Sequence, residues 1–175
     1  MRTDKRIALI STGGTIEKTY DELAQVLSNR VSNLDVMLDS LELGDLEIIR
    51  VPLMNKDSSE MTDGDHTLIA QTAGNMAAAH DGVIIVHGTD RLSETGERIV
   101  QLSDTPRVPI VLTGAMRPFE LRTTDALQNL TESLLAVQTM PPGVYAVMHN
   151  KVLPFPGVIK DHSRGTFTHV NLENV

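Results

Sequence analysis

The sequence predicts an α/β fold: a doubly wound, mainly parallel sheet of five or more strands, with helices on both faces in three layers. Five short runs of β-branched residues and leucine recur along the chain, and several are apolar throughout, which is typical of strands buried on both faces. Segments with helical spacing lie between these runs. Strands that alternate with helices in this way imply right-handed crossovers between parallel neighbours.

The strand predictions follow the apolar runs, because a short run bounded by turn-forming residues suits a buried strand. The runs are "IALI" (7–10), "LEIIRV" (46–51), "GVIIVH" (82–87), "VPIVLTG" (108–114) and "GVYAVMH" (143–149). After residue 149 turn formers dominate the sequence, so the chain is expected to end in a hairpin-like tail rather than another helix–strand unit.

The helix predictions concern four segments whose apolar residues recur at helical spacing. Thr62 and Asp65 are spaced as a capping box at the start of the second segment, and Ser93 suits the N-cap of the third. The four segments are 20–30, 62–80, 93–103 and 123–138.

Composition restricts the class of protein. The chain has 175 residues, enough for one domain, and its net charge of −8 disfavours nucleic acid and membrane surfaces as partners. It contains no cysteine, and its six histidines lack the spacing of metal ligands. The sequence has no signal-peptide pattern and no apolar run near the ~18 residues needed to span a bilayer. We therefore expect a cytoplasmic protein that uses neither metal nor cofactor.

Four polar clusters follow predicted strands at their carboxyl ends, which is where a doubly wound sheet binds ligands. The clusters are "STGGTI" (11–16), "MNKDSSEMT" (54–62), "HGTDRLSE" (87–94) and "TGAMRP" (113–118). Each also has an ordinary structural explanation, such as a glycine turn, a helix cap or tight packing. None matches the glycine-rich fingerprints of nucleotide-binding loops. The assumed fold would bring their hydroxyls and carboxylates to one rim of the sheet.

Together these clusters resemble the bacterial-type L-asparaginases, a family of threonine amidohydrolases. The resemblance is carried by "TGGTI" (12–16), "DSSEMT" (57–62), "HGTD" (87–90), "TGAMRP" (113–118) and Lys160, and extends along essentially the whole chain. "TGGTI" and "HGTD" are the signature motifs of that family, and finding both at this spacing is specific. The resemblance implies hydrolysis of asparagine, and more weakly of glutamine, to the acid and ammonia.

The resemblance also implies catalytic roles. Thr15 is the expected nucleophile, and Thr89 is the second catalytic threonine, in a triad with Asp90 and Lys160. Tyr20 is expected to orient or activate Thr15. These roles are chemically reasonable because a threonine hydroxyl is a weak nucleophile that needs a base, and a lysine can serve as that base when burial lowers its pKa.

Other residues are implied in substrate binding. Ser58 and Ser59 are expected to bind the substrate α-carboxylate, and Asp90 its α-amino group. Gly14 and Ala115 are expected to line the same pocket. Backbone N–H groups near Gly14 and at Thr89 are the expected donors to the oxyanion that forms when the amide carbon is attacked.

Two features depart from the family pattern. Family members carry a smaller C-terminal domain that supplies a carboxylate to a neighbouring subunit, whereas residues 1–175 correspond to the N-terminal catalytic domain alone. The segment "TIEKTY" from Thr15 to Tyr20 is shorter than the family's mobile loop. We expect weaker substrate affinity as a result. We also expect a homo-oligomer, dimer or tetramer, because the absent domain leaves apolar surface.

Two alternatives to an asparaginase remain at this stage. One is a non-catalytic module that senses asparagine or aspartate, or an inactive fragment of a longer asparaginase. The other is a phosphate- or nucleotide-binding module, which the missing fingerprints and the acidic charge disfavour. The presence of both threonines with Asp90 and Lys160 favours the enzyme, since binding alone does not require Lys160.

Overall fold

The computed structural model describes residues 4–103 and 105–170. The strands are β1 (Lys5–Gly13), β2 (Thr19–Asp21), β3 (Val26–Ser28), β4 (Leu46–Lys56), β5 (Gly82–Val86), β6 (Pro109–Thr113), β7 (Gly143–Met148), β8 (Lys151–Pro154), β9 (Val158–Asp161) and β10 (Thr166–His169). The helices are α1 (Leu34–Asp39), α2 (Asp63–Ala79), α3 (Leu92–Leu102) and α4 (Ala126–Thr139). Within the described residues, no helix combines the length and the apolar character that a membrane crossing requires.

Six strands form one sheet in the order β4-β1-β5-β6-β7-β8. The first five are parallel, and β8 pairs antiparallel with β7. This confirms the predicted fold class and all five predicted strands. The chain runs from β1 to one neighbour, β4, and then returns past β1 to its other neighbour, β5. That reversal is the topological switch point, where doubly wound sheets bind their ligands.

The core has two halves, one on each face of the sheet. Side chains alternate along β1, so Ala8 and Ile10 pack with α2 and α3, while Ile7 and Leu9 pack with α1 and α4. All four are fully buried. This alternation between two apolar layers explains why the runs lack polar residues: a parallel strand covered on both faces has no solvated side.

The capping box at the start of α2 is confirmed. The Thr62 hydroxyl accepts from the Asp65 N–H at 3.2 Å, and the Asp65 carboxylate accepts from the Thr62 N–H at 2.9 Å. The predicted N-cap at Ser93 is wrong, because α3 begins at Leu92 with Arg91 in the cap position. Arg91 makes the local contacts there, since its guanidinium pairs with Glu94 on the first turn.

The predicted helix over residues 20–30 is also wrong, because this segment is the antiparallel hairpin β2–β3. The Asp21 carboxylate accepts from the N–H groups of Leu23 and Ala24, at 3.0 and 3.1 Å, and so closes a turn that competes with helix. Leu23 is 92% exposed, so its helical spacing with Val26 has no core to face. The short helix α1 was missed, since six residues give too little periodicity.

The tail forms the predicted hairpin. Strands β9 and β10 pair antiparallel, with Lys160 opposite Phe167. Phe167 is buried in the core on the α2–α3 side of the sheet. The hairpin therefore belongs to the domain and is held against it by a buried aromatic ring.

Substitution of Gly96 should destabilise the fold. A Cβ at Gly96 would overlap the Phe155 ring, whereas one at Gly74 on α2 would meet nothing within 4 Å. Gly96→Ala should lower the free energy of unfolding by about 1–3 kcal/mol through overpacking. Gly74→Ala should raise it by about 0.5–1 kcal/mol, because alanine loses less backbone entropy in a helix. Urea titration of both variants measures the difference, and a stabilising Gly96→Ala would contradict this packing.

Candidate active site

The polar loops meet where β1 and β5 lie side by side. Gly14 has φ +83° in the loop after β1, and a Cβ there would overlap the backbone of Gly88 in the loop after β5. A Cβ on Gly88 would in turn overlap Ser58, which follows β4, and a Cβ on Gly114, which follows β6, would overlap the His87 carbonyl. Four strand-end loops are thus in close contact, and glycine is required at each close approach.

A lysine, a threonine and an aspartate form the centre of this cluster. Lys160 on β9 donates from Nζ to Thr89 Oγ1 at 2.9 Å and to Asp90 Oδ1 at 2.6 Å. The Lys160 side chain is 14% exposed and the Asp90 side chain 53%. The three side chains implied as a triad are therefore assembled, although Lys160 lies 70 residues from Asp90 along the chain.

The β9–β10 hairpin that carries Lys160 is joined to the sheet by polar contacts. His149 Nδ1 lies 3.0 Å from Thr166 Oγ1 on β10, and His149 Nε2 lies 2.6 Å from Asp125 Oδ2. Gly157 donates its N–H to Glu97 Oε1 at 2.7 Å. These contacts fix the hairpin relative to the strand-end loops, and so fix the position of Lys160.

Asp125 links that hairpin to the loop after β6. Burial disfavours its charge, but hydrogen bonds from the N–H groups of Met116 and Arg117 and from His149 outweigh it, so the pKa of Asp125 is lowered. No sequence motif marks this carboxylate or His149 as part of the site. Asp125 falls inside the predicted helical segment 123–138, and helical spacing does not reveal a partner 24 residues away.

The two serines after β4 differ in what they can offer. Ser58 is buried, and its hydroxyl oxygen accepts from the Arg91 N–H at 3.3 Å, which leaves the hydroxyl proton free to donate. Ser59 is exposed and donates its hydroxyl proton to Asp57 Oδ1 at 2.9 Å. Ser58 is therefore the better placed of the two to bind a carboxylate.

Thr15 lies on a short 3₁₀ turn, Thr15–Glu17, and is half-buried. No described residue hydrogen-bonds its hydroxyl, which leaves that group free to meet a ligand. The Gly14 N–H, however, donates to the Lys56 carbonyl at 2.9 Å, so Gly14 does not offer the oxyanion donor expected of it. The N–H groups of Thr15 and Thr89 have no acceptor among the described residues and can fill that role.

The side chains of two other predicted site residues, Tyr20 and Ala115, make none of the hydrogen bonds described for this site. Tyr20 is 57% exposed on β2, and the contact it makes is a backbone N–H donated to Glu120 at 2.7 Å. Within residues 4–103 and 105–170 its phenol has no hydrogen-bond partner, and its role stays a prediction. Ala115 is 1% exposed, and its side chain packs in the core on the α1–α4 side. Only its backbone can line a pocket.

A buried carboxyl that sequence analysis missed supports the Thr15 loop. Glu17 accepts from the Gly13 N–H at 2.7 Å and from the Ser32 hydroxyl at 2.6 Å. Burial raises the pKa of Glu17, although these hydrogen bonds and the nearby charge of Arg50 oppose the shift. Glu17 thus ties the glycine turn to the segment before α1.

The family to which these features point is identified by its domain model. The model described as "Asparaginase, N-terminal" matches residues 6–175. The chain belongs to the asparaginase family. Among the described residues of this asparaginase-family chain, no group of three or more carboxylate or histidine side chains is arranged to hold a metal ion.

Curated relatives of this asparaginase-family chain include two kinds of protein. The L-asparaginase of Thermococcus kodakarensis is 26% identical over 172 residues, which cover 97% of this chain and 52% of the relative. A glutamyl-tRNA(Gln) amidotransferase subunit of Methanobrevibacter smithii is 30% identical over 150 residues, covering 85% of this chain and 34% of the relative. The chain therefore spans about half, or less, of the length of these relatives.

Solved asparaginases share the fold. The structure of the thermostable Thermococcus kodakarensis L-asparaginase matches with a TM-score of 0.86 at 28% identity, covering 95% of this chain and 51% of that one. An L-asparaginase of Campylobacter jejuni, described as probable and cytoplasmic, matches with a TM-score of 0.73 at 31% identity, covering 95% and 52%. This asparaginase-family chain thus corresponds to about half of each of these solved chains.

Glu17 should make stability depend on pH. The raised pKa of its carboxyl in the folded state means that the folded protein holds this proton more tightly than the unfolded chain does. The stability that protonated Glu17 contributes is therefore lost as the pH rises from 4.5, the ordinary pKa of a glutamate, through the raised pKa of Glu17 in the folded protein. Glu17→Gln keeps an acceptor for the Gly13 N–H and cannot ionise. The free energy of unfolding of Glu17→Gln, relative to that of wild type, should therefore increase as the pH rises from 4.5 through the raised pKa of Glu17.

The measurement is urea unfolding of wild type, Glu17→Gln and the control Glu22→Gln at several pH values. Glu22 is exposed in the β2–β3 turn, so its variant should follow wild type. A difference between Glu17→Gln and wild type that stays constant with pH would contradict the burial argument.

Proposed function

We propose that this protein is an amidohydrolase that converts L-asparagine and water to L-aspartate and ammonia, with weaker activity on glutamine. The observation that carries the proposal is the 2.9 Å contact between Lys160 Nζ and Thr89 Oγ1, with Asp90 Oδ1 2.6 Å from the same nitrogen. A pure binding module has no need for a lysine held against a hydroxyl. Family membership supports amide chemistry at this cluster.

In the proposed first step, Thr15 Oγ1 attacks the amide carbon of asparagine. The Thr15 proton passes through Thr89 and Lys160 or a bridging water, and the carbonyl oxygen becomes an oxyanion. N–H groups of Thr15 and Thr89 stabilise that charge, an effect commonly worth about 10²–10³ in rate per donor. The C–N bond then breaks, the amine takes up a proton, and ammonia leaves behind a Thr15 ester.

In the proposed second step, water cleaves the ester. Lysine in its neutral form accepts a proton from the Thr89 hydroxyl across the same 2.9 Å contact, and Thr89 takes one from the attacking water. Asp90 holds the Lys160 amine in place at 2.6 Å. The tetrahedral intermediate then collapses, the ester C–O bond breaks, and the proton taken up by Lys160 returns through Thr89 to Thr15 Oγ1. Aspartate is released with the Thr15 hydroxyl restored.

The protein is proposed to recognise the substrate by its α-carboxylate and its α-amino group. The free proton of the Ser58 hydroxyl is offered to the α-carboxylate. The second oxygen of Asp90, which is 53% exposed, is offered to the α-amino group. The binding role of Ser59 requires its hydroxyl to leave Asp57, so we assign it a smaller contribution. We also propose that the protein acts as a homo-oligomer in the cytoplasm.

A second candidate function is an ammonia-supplying role in the amidation of glutamate on tRNA. The observation in its favour is the set of relatives named as glutamyl-tRNA(Gln) amidotransferase subunits, of which one is 30% identical and another 31%. The same amide hydrolysis would serve such a role. Because the net charge of residues 1–175 is −8, we place the contacts to tRNA phosphates in such a role outside these residues.

Removal of the triad lysine should abolish most of the activity. Lys160→Met should lower kcat for ammonia release from asparagine by about 10²–10⁴, the usual worth of a general base. Thr15→Ala and Thr89→Val should be at least as damaging. Lys5→Met is the matched control, because Lys5 bonds the Gln138 carbonyl at the opposite end of β1. Full activity in Lys160→Met would overturn the triad.

The two candidate functions are distinguished by substrate preference and partners. A free asparaginase should release ammonia from asparagine alone in solution, with glutamine slower. A dedicated amidotransferase component should do so efficiently only when its partner protein and charged tRNA are present. No release from millimolar asparagine or glutamine by the isolated chain would reject the free asparaginase.

A further inference from the structure

A buried chain of polar side chains lies directly behind the candidate site. His66 on α2 contacts Thr95 on α3 through Nδ1 and Oγ1 at 2.6 Å, and Thr95 Oγ1 contacts His87 Nε2 at 2.7 Å. His87 Nδ1 then lies 2.7 Å from the Gly88 carbonyl. His66, Thr95 and His87 are each no more than 1% exposed. The proposed mechanism uses none of the three, although this series of hydrogen bonds ends at the Gly88 carbonyl, in the peptide just before Thr89.

The direction of each hydrogen bond follows from its last member. The Gly88 carbonyl can only accept, so His87 Nδ1 carries a proton. Burial lowers the pKa of His87 to about 4, which keeps the ring neutral and makes its Nε2 an acceptor. Thr95 must therefore donate its single proton to His87 and accept from His66 Nδ1. The Thr95 hydroxyl therefore joins the two rings by hydrogen bonds, and the rings are also stacked with their centroids 6.2 Å apart.

The Gly88–Thr89 peptide is oriented by this arrangement. In a trans peptide the C=O and the following N–H point in opposite directions. The Gly88 carbonyl is held toward the His87 ring, so the Thr89 N–H must point away from it. No described residue accepts that N–H. Ser58 packs so closely against Gly88 that an added Cβ would lie 2.5 Å from the Ser58 hydroxyl oxygen, which limits rotation of the peptide.

We propose that Thr95, together with His66 and His87, is a positioning element that holds the Gly88–Thr89 peptide so that the Thr89 N–H faces the substrate oxyanion. This rests on the proposed function, since an oxyanion forms only if the site hydrolyses amides. The three residues do not touch the substrate. Their contribution is to preorganise a donor, which is effective because no reorganisation is then needed during the reaction.

The test is a comparison of Thr95→Val with Thr95→Ser. Valine matches threonine in shape but removes the hydroxyl, so His87 Nε2 loses its donor. The tautomer with its proton on Nδ1, which holds the Gly88 carbonyl, is then no longer favoured by the Thr95 hydroxyl. We expect kcat to fall about tenfold with KM nearly unchanged, because the oxyanion exists only in the transition state. Serine keeps the hydroxyl and should retain nearly all of kcat. Thr72→Val on α2, which removes a hydroxyl bonded only to its own helix, should behave as wild type.

A second measurement does not depend on turnover. In ¹H–¹⁵N spectra, Thr95→Val should shift the Thr89 amide resonance and Thr95→Ser should leave it near the wild-type position. Wild-type kcat in Thr95→Val, or equal losses in the valine and serine variants, would overturn the inference. An inactive wild type would instead reject the proposed function. In that case an unshifted Thr89 amide in Thr95→Val would still overturn the orientation of the peptide.

Discussion

The close approach of two glycine loops is the constraint on which the site depends. Gly14 and Gly88 allow the loops after β1 and β5 to touch at the switch point, where a Cβ on Gly14 would overlap the facing backbone. That contact sets Thr15 and Thr89 on adjoining loops, each with an N–H that the described residues leave unbound. Strand order creates the crevice, and the missing side chains let the backbone close around it.

The groups around this crevice are held by buried polar contacts rather than by apolar packing alone. Asp125 gathers two backbone N–H groups and His149, and His149 in turn contacts Thr166 on the hairpin that carries Lys160. The Glu17 carboxylate similarly fixes the Thr15 loop by accepting a hydrogen bond from the Gly13 N–H. Buried polar groups cost free energy unless they are paired. Each such network therefore permits one arrangement of the loops and disfavours others.

The protein also shows how a site can be assembled from distant segments without a metal ligand set among its described residues. Lys160 reaches Thr89 because strand β9 lies against α3 and Phe167 of β10 is buried in the core. Burial of Phe167 stabilises the hairpin, and the polar contacts fix the position of Lys160. The same division holds at the switch point, where Ile10 and Ile85 pack the strands and the loops beyond them carry the polar groups.

The sequence by itself determined the five parallel strands of the sheet, three of the helices and the motifs, because apolar runs, helical spacing and the Thr62–Asp65 capping box are local signals. It also pointed to Thr89, Asp90 and Lys160, through the family resemblance. It misplaced residues 20–30 as helix, since spacing alone cannot show that Leu23 has no core to face. It gave no sign of the Asp125–His149 and His66–Thr95–His87 contacts. These join residues between 8 and 29 positions apart, and only the folded chain brings such groups within hydrogen-bonding distance.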